Sequence, residues 1–157
     1  MNYTIKLILF LIINFAALAI GGLFTAKAVN ADWYLSLNKA PWTPPGWVFG
    51  VAWTFIMITF SFFMAKILPE YKSDNFKIIL FLFSIQWILN VIWNPIFFKY
   101  HQSSLGLVVI ISLTFLVYYF TYYGFKNTPW YMALLMLPYA IWLTIATSLN
   151  AYVLIKN

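Results

Sequence analysis

The sequence predicts an all-α integral membrane protein built as a bundle of five transmembrane helices. The 157-residue chain is 64% hydrophobic and only 8% charged, whereas soluble domains carry about 25% charged residues. Its lysines fall between long apolar runs, and each run reaches the roughly 20 residues that a helix needs to span a bilayer. We therefore expect one multi-pass domain over residues 1–157, with its termini on opposite faces of the membrane.

The first run lies between Lys6 and Lys27 and predicts a helix over about residues 6–27. Lys6 and the sequence Ala26-Lys27-Ala28 also resemble the ends of a signal peptide. A signal peptide has an apolar region of only about 7–15 residues. The longer run found here favours a retained helix.

The second helix is expected over about residues 44–66, after a long connection over about residues 28–43 that we interpret as a lid. Three prolines stiffen its approach, and Thr43 is predicted to cap the helix with Pro44 at the first helical position. Asp32 is predicted to cap a short helix through residues 33–35 inside the lid. Two interpretations of the aromatic side chains here stay open, an interfacial belt or a cover over a cavity; these side chains are Trp33, Tyr34, Trp42 and Trp47.

The third helix, expected over about residues 76–98, carries Gln86, Asn90 and Asn94 at spacings of four, so these amides share one face. An unpaired amide in hydrocarbon costs several kcal/mol, so this face must point into the bundle. It either bonds neighbouring helices or, with Trp93 beside it, lines a pocket. Pro95 predicts a bend near the end of this helix.

The last two helices are expected over about residues 104–124 and 129–154, with a kink at Pro138. The fifth helix has Trp142, Ala146 and Asn150 on one face. The second helix has a similar stripe, and three stripes that each contain an indole are able to enclose a flat aromatic ligand. The residues of that second stripe are Phe49, Trp53, Ile56 and Phe60.

The residues that are absent restrict the chemistry. No cysteine is present, which excludes disulfides, catalysis by a thiolate and metal sites with thiolate ligands. The only histidine, His101, lies in a loop, which argues against a zinc site or a buried haem ligand, and we expect no metal. No Asp, Glu, Lys or His lies in the core of a span, which disfavours a proton-coupled transporter. The lysines form no patch, so we expect no nucleic acid partner.

Three motifs occur in order along the chain. The first motif is Trp33-Tyr34, Leu37, Lys39, Pro44-Pro45-Gly46, Val48-Phe49-Gly50 and Trp53-Thr54. The second is Gln86, Asn90, Trp93, Pro95, Phe97 and Phe98, and the third is Pro138, Tyr139, Trp142, Ala146, Thr147, Leu149 and Asn150. Together they resemble the TspO/MBR family, which comprises tryptophan-rich sensory proteins, translocator protein and the peripheral-type benzodiazepine receptor. One departure is Ala40-Pro41-Trp42, where the family commonly has Pro-Ser-Trp.

The resemblance implies a TspO/MBR-like five-helix bundle whose pocket is closed by the first loop. It implies tetrapyrrole ligands such as porphyrin and haem, and also sterols and benzodiazepine-like drugs. It implies pocket roles for Trp33, Tyr34, Trp53, Asn90, Trp93, Trp142, Ala146 and Leu149. Their neighbours complete the predicted ligand-binding set, namely Trp42, Pro45, Gly46, Phe49, Gln86 and Tyr139.

The leading hypothesis is a membrane binding protein that acts in porphyrin sensing, transport or detoxification, with no obligatory cofactor. The alternative is an enzyme that degrades porphyrin in light, with Trp53 and Trp142 as the photochemical candidates. Nothing in the residues separates binder from enzyme. Because the composition is rich in lysine, asparagine, isoleucine and phenylalanine, we expect a bacterial cell membrane as the location.

Two partner hypotheses are weaker. Leu149, Tyr152 and Lys156 fit the loose cholesterol pattern, and interfacial anchoring by the tyrosine and lysine is the favoured explanation of the same residues. Small residues at spacings of four in the first helix suit a homodimer, and they suit packing within one bundle equally. Those residues are Ala17, Gly21 and Thr25, and Gly22 and Ala26.

Overall fold

A computed structural model describes residues 2–157 apart from the side chain of Asp74, so Met1 of the predicted domain lies outside the described residues. Within this part of the chain there are seven α-helices. Five segments are long and apolar enough to cross a membrane, which confirms the predicted all-helical membrane fold. The helices are α1 (Tyr3–Ala28), α2 (Asp32–Ser36), α3 (Gly46–Ile67), α4 (Asp74–Asn94), α5 (Ser103–Asn127), α6 (Trp130–Ala133) and α7 (Leu137–Lys156).

The five spanning segments close into a ring. α1 packs beside α3 and α4, α5 packs beside α4 and α7, and α3 also contacts α7. The Lys6 ammonium donates a hydrogen bond to the carbonyl of Leu68, which follows the end of α3. At the other end of the bundle the Asn38 amide, which precedes α3, donates to Asn157. The two ends of the chain therefore lie at opposite ends of α3.

Polar side chains join the helices inside the apolar core. The Asn14 amide of α1 donates to the Ser61 hydroxyl of α3 at 2.8 Å. The Gln86 amide of α4 donates to the Tyr139 hydroxyl of α7 at 2.7 Å. In hydrocarbon an unpaired polar group costs several kcal/mol. These bonds therefore favour one relative position of the helices, and the interpretation of Gln86 as interhelical contact agrees with its placement.

Two predicted caps are wrong, and proline explains the first. α3 begins at Gly46 with Pro45 as its N-cap, whereas the Thr43 hydroxyl donates to the Ala40 carbonyl at 2.7 Å and closes a turn. A residue before proline is driven out of helical geometry. Pro45 imposes this on Pro44, so helix formation has to wait until Gly46. In α2 the N-cap is Ala31, and Asp32 lies in the first turn, where its charge favours the helix dipole.

Two further prolines, Pro95 and Pro138, change helix geometry. After Asn94 the chain continues as a π-helical turn over Pro95–Lys99, in which the Tyr100 amide reaches back to the Pro95 carbonyl at 2.9 Å. The predicted kink at Pro138 lies earlier, in a 3₁₀ turn over Leu134–Met136. Pro138 has no amide hydrogen to donate to the turn before it, so that turn tightens instead of continuing as α-helix.

The small-residue face of α1 packs inside the bundle. Ala17 and Gly21 are buried, and a Cβ placed on Gly21 would lie 2.7 Å from the Asn94 amide nitrogen. The Asn94 side chain is itself held, since its oxygen accepts a bond from the Thr25 hydroxyl at 2.9 Å. The explanation by packing within one bundle accounts for this face, and the homodimer stays a prediction.

We expect Gly21→Ala to destabilise the protein by about 1–3 kcal/mol, as overpacking of a tight contact does. Gly22→Ala is the matched control, because a Cβ there meets nothing within 4 Å. The control should be neutral or stabilising by up to about 1 kcal/mol through helix propensity. Unfolding by SDS in mixed micelles measures both variants. Equal stability of the two alanine variants would contradict this account of the contact between α1 and α4.

Candidate functional site

Three adjoining cavities open at the end of the bundle that the lid, residues 29–45, covers, and Phe49 lines all three. The vestibule, of about 500 Å³, is lined by Thr25, Val29, Asn30, Tyr34, Lys39, Thr43, Pro44, Gly46, Phe49 and Phe98. The inner chamber, of about 60 Å³, is lined by Tyr34, Lys39, Thr43, Phe49, Trp93, Phe97, Phe98, Ala146, Leu149, Asn150 and Val153. The cleft, of about 170 Å³, is lined by Ala17, Leu18, Gly21, Gly22, Thr25, Phe49, Gly50, Trp53, Asn90 and Asn94.

The lid packs on the end of the third spanning segment through aromatic rings. Trp33 stacks on His101 with centroids 3.9 Å apart and meets Phe97 edge-on at 5.6 Å. Tyr34 packs against Phe98 at 5.6 Å. Contacts of this kind add to the burial of the rings. They hold α2 in place as one wall of the vestibule.

A second set of contacts attaches the lid to α7. The Asn38 backbone amide donates to the Asn157 side-chain oxygen at 2.9 Å, and the Asn157 amide donates to the Asn38 carbonyl at 3.4 Å. The Trp42 indole donates to the Ser148 hydroxyl at 3.1 Å, and its ring meets Tyr152 at 5.4 Å. We call this pair of attachments the latch. It attaches the lid to the carboxyl-terminal part of the chain at the end of the bundle where the cavities open.

The inner chamber is apolar, and one amide sets the orientation of its largest ring. Trp93 stacks on Phe97 at a centroid distance of 5.1 Å. The Asn150 side-chain oxygen accepts the Trp93 indole N–H at 3.1 Å, and the Asn150 amide donates to the Ser103 carbonyl at 2.9 Å. Asn150 therefore fixes Trp93 between three helices. Sequence reasoning placed Asn150 on the correct face but left it out of the ligand-binding set.

The cleft lies between α1, α3 and α4 and contains a polar group without a partner. Asn90 is 8% exposed, and among the described residues no hydrogen bond reaches its side chain, so its amide faces the cleft. Trp53 lines the same cleft and meets the buried ring of Tyr139 edge-on at 5.9 Å. The cleft thus offers an amide and an indole to an occupant.

One cation stands at the mouth of the site. The Lys39 ammonium lies 4.6 Å from the centroid of the Tyr34 ring and contacts the Leu35 carbonyl at 3.5 Å. No carboxylate in the described part of the chain pairs with it. Burial raises the pKa of the Tyr34 phenol, which therefore stays neutral and able to donate a hydrogen bond. This arrangement suits a carboxylate attached to an apolar ring system.

The structure gathers eight of the predicted ligand-binding residues around the cavities. Those lining a cavity are Tyr34, Gly46, Phe49, Trp53, Asn90, Trp93, Ala146 and Leu149. The other six line none of the three cavities. They are the lid residues Trp33 and Trp42, the N-cap Pro45 of α3, the core pair Gln86 and Tyr139, and Trp142.

Trp142 is buried at 7% exposure with its edge toward Phe49. Its indole N–H is fully covered and has no partner among the described residues. The residues of the suggested sterol motif serve the chamber and the latch: Leu149 lines the chamber, Tyr152 meets Trp42, and the Lys156 carbonyl accepts a bond from Asn38. Recognition of a sterol by these residues stays a prediction.

Sequence reasoning missed part of the lining, including Thr25, Phe97, Phe98 and Asn94. Two signals were available for them. Phe97 and Phe98 follow the proline at the end of α4 in the second motif, and Asn94 shares its face with Asn90. Nothing in the local sequence brings Thr25 of α1 to the site, because its position depends on the packing of α1 against α4.

A sequence profile of the TspO/MBR family matches residues 9–155. The chain is 33% identical over 139 residues to Protein CrtK of Rhodobacter capsulatus, covering 88% of this chain and 86% of that protein. It is 34% identical over 139 residues to the tryptophan-rich protein TspO of Chlorobaculum tepidum, covering 87% and 86%. It is 31% identical over 120 residues to the human translocator protein, covering 75% and 70%.

We expect Asn157→Ala to loosen the lid, because it removes both side-chain bonds of this residue to Asn38. Loss of such bonds, at about 1 kcal/mol each, should speed amide exchange in the lid roughly five- to thirtyfold. Hydrogen exchange of the segment from Trp33 to Lys39 measures this. Asn30→Ala is the control, an exposed asparagine of the same loop whose side chain makes no described hydrogen bond. Unchanged exchange in Asn157→Ala would show that the latch does not hold the lid.

Proposed function

Because this chain belongs to the TspO/MBR family, we propose that it is a membrane receptor for tetrapyrroles such as porphyrin and haem, acting in their sensing, transport or detoxification. The observation that carries the proposal is the group of cavities under the lid. Their walls are aromatic and aliphatic, and Lys39 is the one cation on the walls of the three cavities. Ligand sites commonly combine such apolar walls with a few placed polar groups.

The rings around the vestibule suit a flat macrocycle. Phe49, Phe98 and Tyr34 line it, and Phe49 is shared with the cleft and the inner chamber. Aromatic rings favour offset or edge-on contact with another π system. A macrocycle lying against Phe49 would extend toward Trp53 in the cleft on one side and toward Trp93 in the chamber on the other.

The Lys39 ammonium gives this site its charge preference. A tetrapyrrole carries carboxylate side chains on an apolar ring. With the ring against Phe49, such a carboxylate would reach Lys39 and the Tyr34 phenol at the mouth. Charge-assisted hydrogen bonds of this type are stronger than neutral ones. We include sterols and benzodiazepine-like compounds in the proposal as neutral ligands that would use the apolar walls without Lys39, and we propose a bacterial cell membrane as the location.

A second candidate function is light-dependent degradation of the bound porphyrin. The observation in its favour is the position of Trp53, which lines the cleft and contacts the ring of Tyr139. A porphyrin in the cleft would therefore lie next to one oxidisable ring, with a second oxidisable ring directly behind it. An indole can give one electron to a photoexcited porphyrin, leaving an indole radical cation and a porphyrin radical anion. Degradation would then need dioxygen as the oxidant. Trp142 lies farther from the cavities, behind Phe49.

We expect protoporphyrin to quench tryptophan fluorescence saturably, and Lys39→Gln to weaken its binding about three- to tenfold through loss of a charge-assisted bond. The dimethyl ester of the same porphyrin lacks carboxylates and should bind parent and variant alike. Lys27→Gln removes an exposed lysine near the same end of the bundle and should leave both affinities unchanged. If Lys39→Gln weakens binding of the ester as strongly as binding of the free acid, Lys39 is not the partner of the carboxylates.

For the second candidate, we expect Trp53→Phe to slow light-driven loss of porphyrin more than it weakens binding, since phenylalanine keeps stacking area but is harder to oxidise. Trp142→Phe should change bleaching less, because Trp142 lines none of the three cavities. Absorbance decay under constant illumination, compared with the dark affinity, measures both. Equal bleaching by the parent and by Trp53→Phe would reject a photochemical role for this residue.

A further inference from the structure

Besides the mouth under the lid, the cavities have a second opening at the same end of the protein. The latch ties the lid to α7 through Asn38 and Trp42. Elsewhere on the bundle, Gly22 of α1 and Gly50 of α3 form part of the wall of the cleft. A Cβ built on either glycine meets nothing within 4 Å. At these two positions the cleft is therefore not covered by a neighbouring side chain.

The outer edge of the cleft is apolar. Gly50 is exposed, and the apolar side chains next to the two glycines, Leu23 and Val51, are 76% and 59% exposed. At 1.5 Å per residue, Gly22 lies about 9 Å inside the end of α1 and Gly50 about 6 Å inside the start of α3. Both positions thus lie within candidate membrane-spanning helices and not in the lid.

The amide of Asn90 indicates that the cleft receives a polar ligand. It is more than nine-tenths buried and has no hydrogen-bond partner among the described residues, yet it faces the cleft. A polar group left unpaired in hydrocarbon is unfavourable by several kcal/mol. An occupant with ring nitrogens would satisfy it. An alkyl chain of a lipid would not.

We propose that the cleft between α1 and α3 is a lateral portal through which a membrane-dissolved tetrapyrrole enters the site from the bilayer, with Asn90 as its first hydrogen-bond partner. This rests on the proposed function. The cleft shares Thr25 and Phe49 with the vestibule, so an entering ring passes from one to the other without crossing the bundle. During this passage its carboxylates stay near the membrane surface, on the side where Lys39 stands.

The absence of cysteine from the chain allows a test on protein that has already folded. Gly50→Cys is reconstituted into lipid nanodiscs, and binding of protoporphyrin is followed by stopped-flow quenching of tryptophan fluorescence. The introduced thiol is then modified with a benzyl methanethiosulfonate, and reductant later removes the group. Val108→Cys is the matched control, because Val108 is 60% exposed on α5 and lines none of the three cavities. Gly46→Cys, at a residue that lines the vestibule and not the cleft, tests entry through the mouth under the lid.

If the portal is the route, modification of Gly50→Cys slows association and dissociation together by about tenfold, and reductant restores both rates. The same modification of Val108→Cys changes either rate less than about twofold. A group that merely occupied the binding site would accelerate dissociation, and that result would overturn the portal. Slowing at position 46 alone would also overturn it and assign entry to the mouth under the lid.

The proposed function has its own readout in this experiment. If the unmodified protein shows no saturable quenching, tetrapyrrole binding itself fails, and the portal fails with it. If the unmodified protein binds normally and its rates do not change after modification at position 50, the portal alone is wrong. A further condition checks the source of the ligand. At fixed total porphyrin, larger nanodiscs dilute the membrane-dissolved ligand and should slow association in proportion.

Discussion

The amides of α4 have to be satisfied inside a bilayer, where no water replaces a missing hydrogen-bond partner. The Gln86 amide nitrogen bonds Tyr139 of α7, while its side-chain oxygen is buried without a described partner. Asn94 accepts a bond from Thr25 of α1. The same face of α4 thus determines where two neighbouring helices can lie. Asn90, between these two residues, is the amide whose side chain has no described hydrogen bond, and it lines the cleft together with Asn94. Successive turns of this polar face of α4 therefore serve helix packing and the proposed ligand binding.

The lid depends on a different constraint, the restricted backbone of consecutive prolines. Pro44 and Pro45 prevent the second spanning helix from starting until Gly46, so the chain before it remains extended long enough to cross the end of the bundle. Trp42, held on this stiff segment, reaches Ser148 of α7. The aromatic side chains of the lid therefore divide their roles. Tyr34 faces the vestibule, whereas Trp42 attaches the lid from outside.

Most of the fold and part of the site could be predicted from sequence. Hydropathy and lysine spacing are local properties, so five spans and their approximate bounds follow from them. Spacings of four placed Gln86, Asn90 and Asn94 on one buried face. The same reasoning could not distinguish their roles, because the role of each amide depends on whether a neighbouring helix supplies a hydrogen-bond partner. Trp42 and Tyr34 belong to one short segment. Only the path of the lid across the bundle places Tyr34 at the vestibule and Trp42 against α7.

The sequence by itself determined the membrane class, the number of spans, the family and the set of aromatic and amide residues from which the site is drawn. These follow from composition, periodicity and short motifs, which need no knowledge of distant contacts. The tertiary structure alone decided that Trp53 lines a cavity while Trp142 is covered behind Phe49. It also decided that Gly21 packs against Asn94 while Gly22, one residue later, borders open space. Adjacent positions on a helix point about 100° apart, so their surroundings depend on which helices pack beside them.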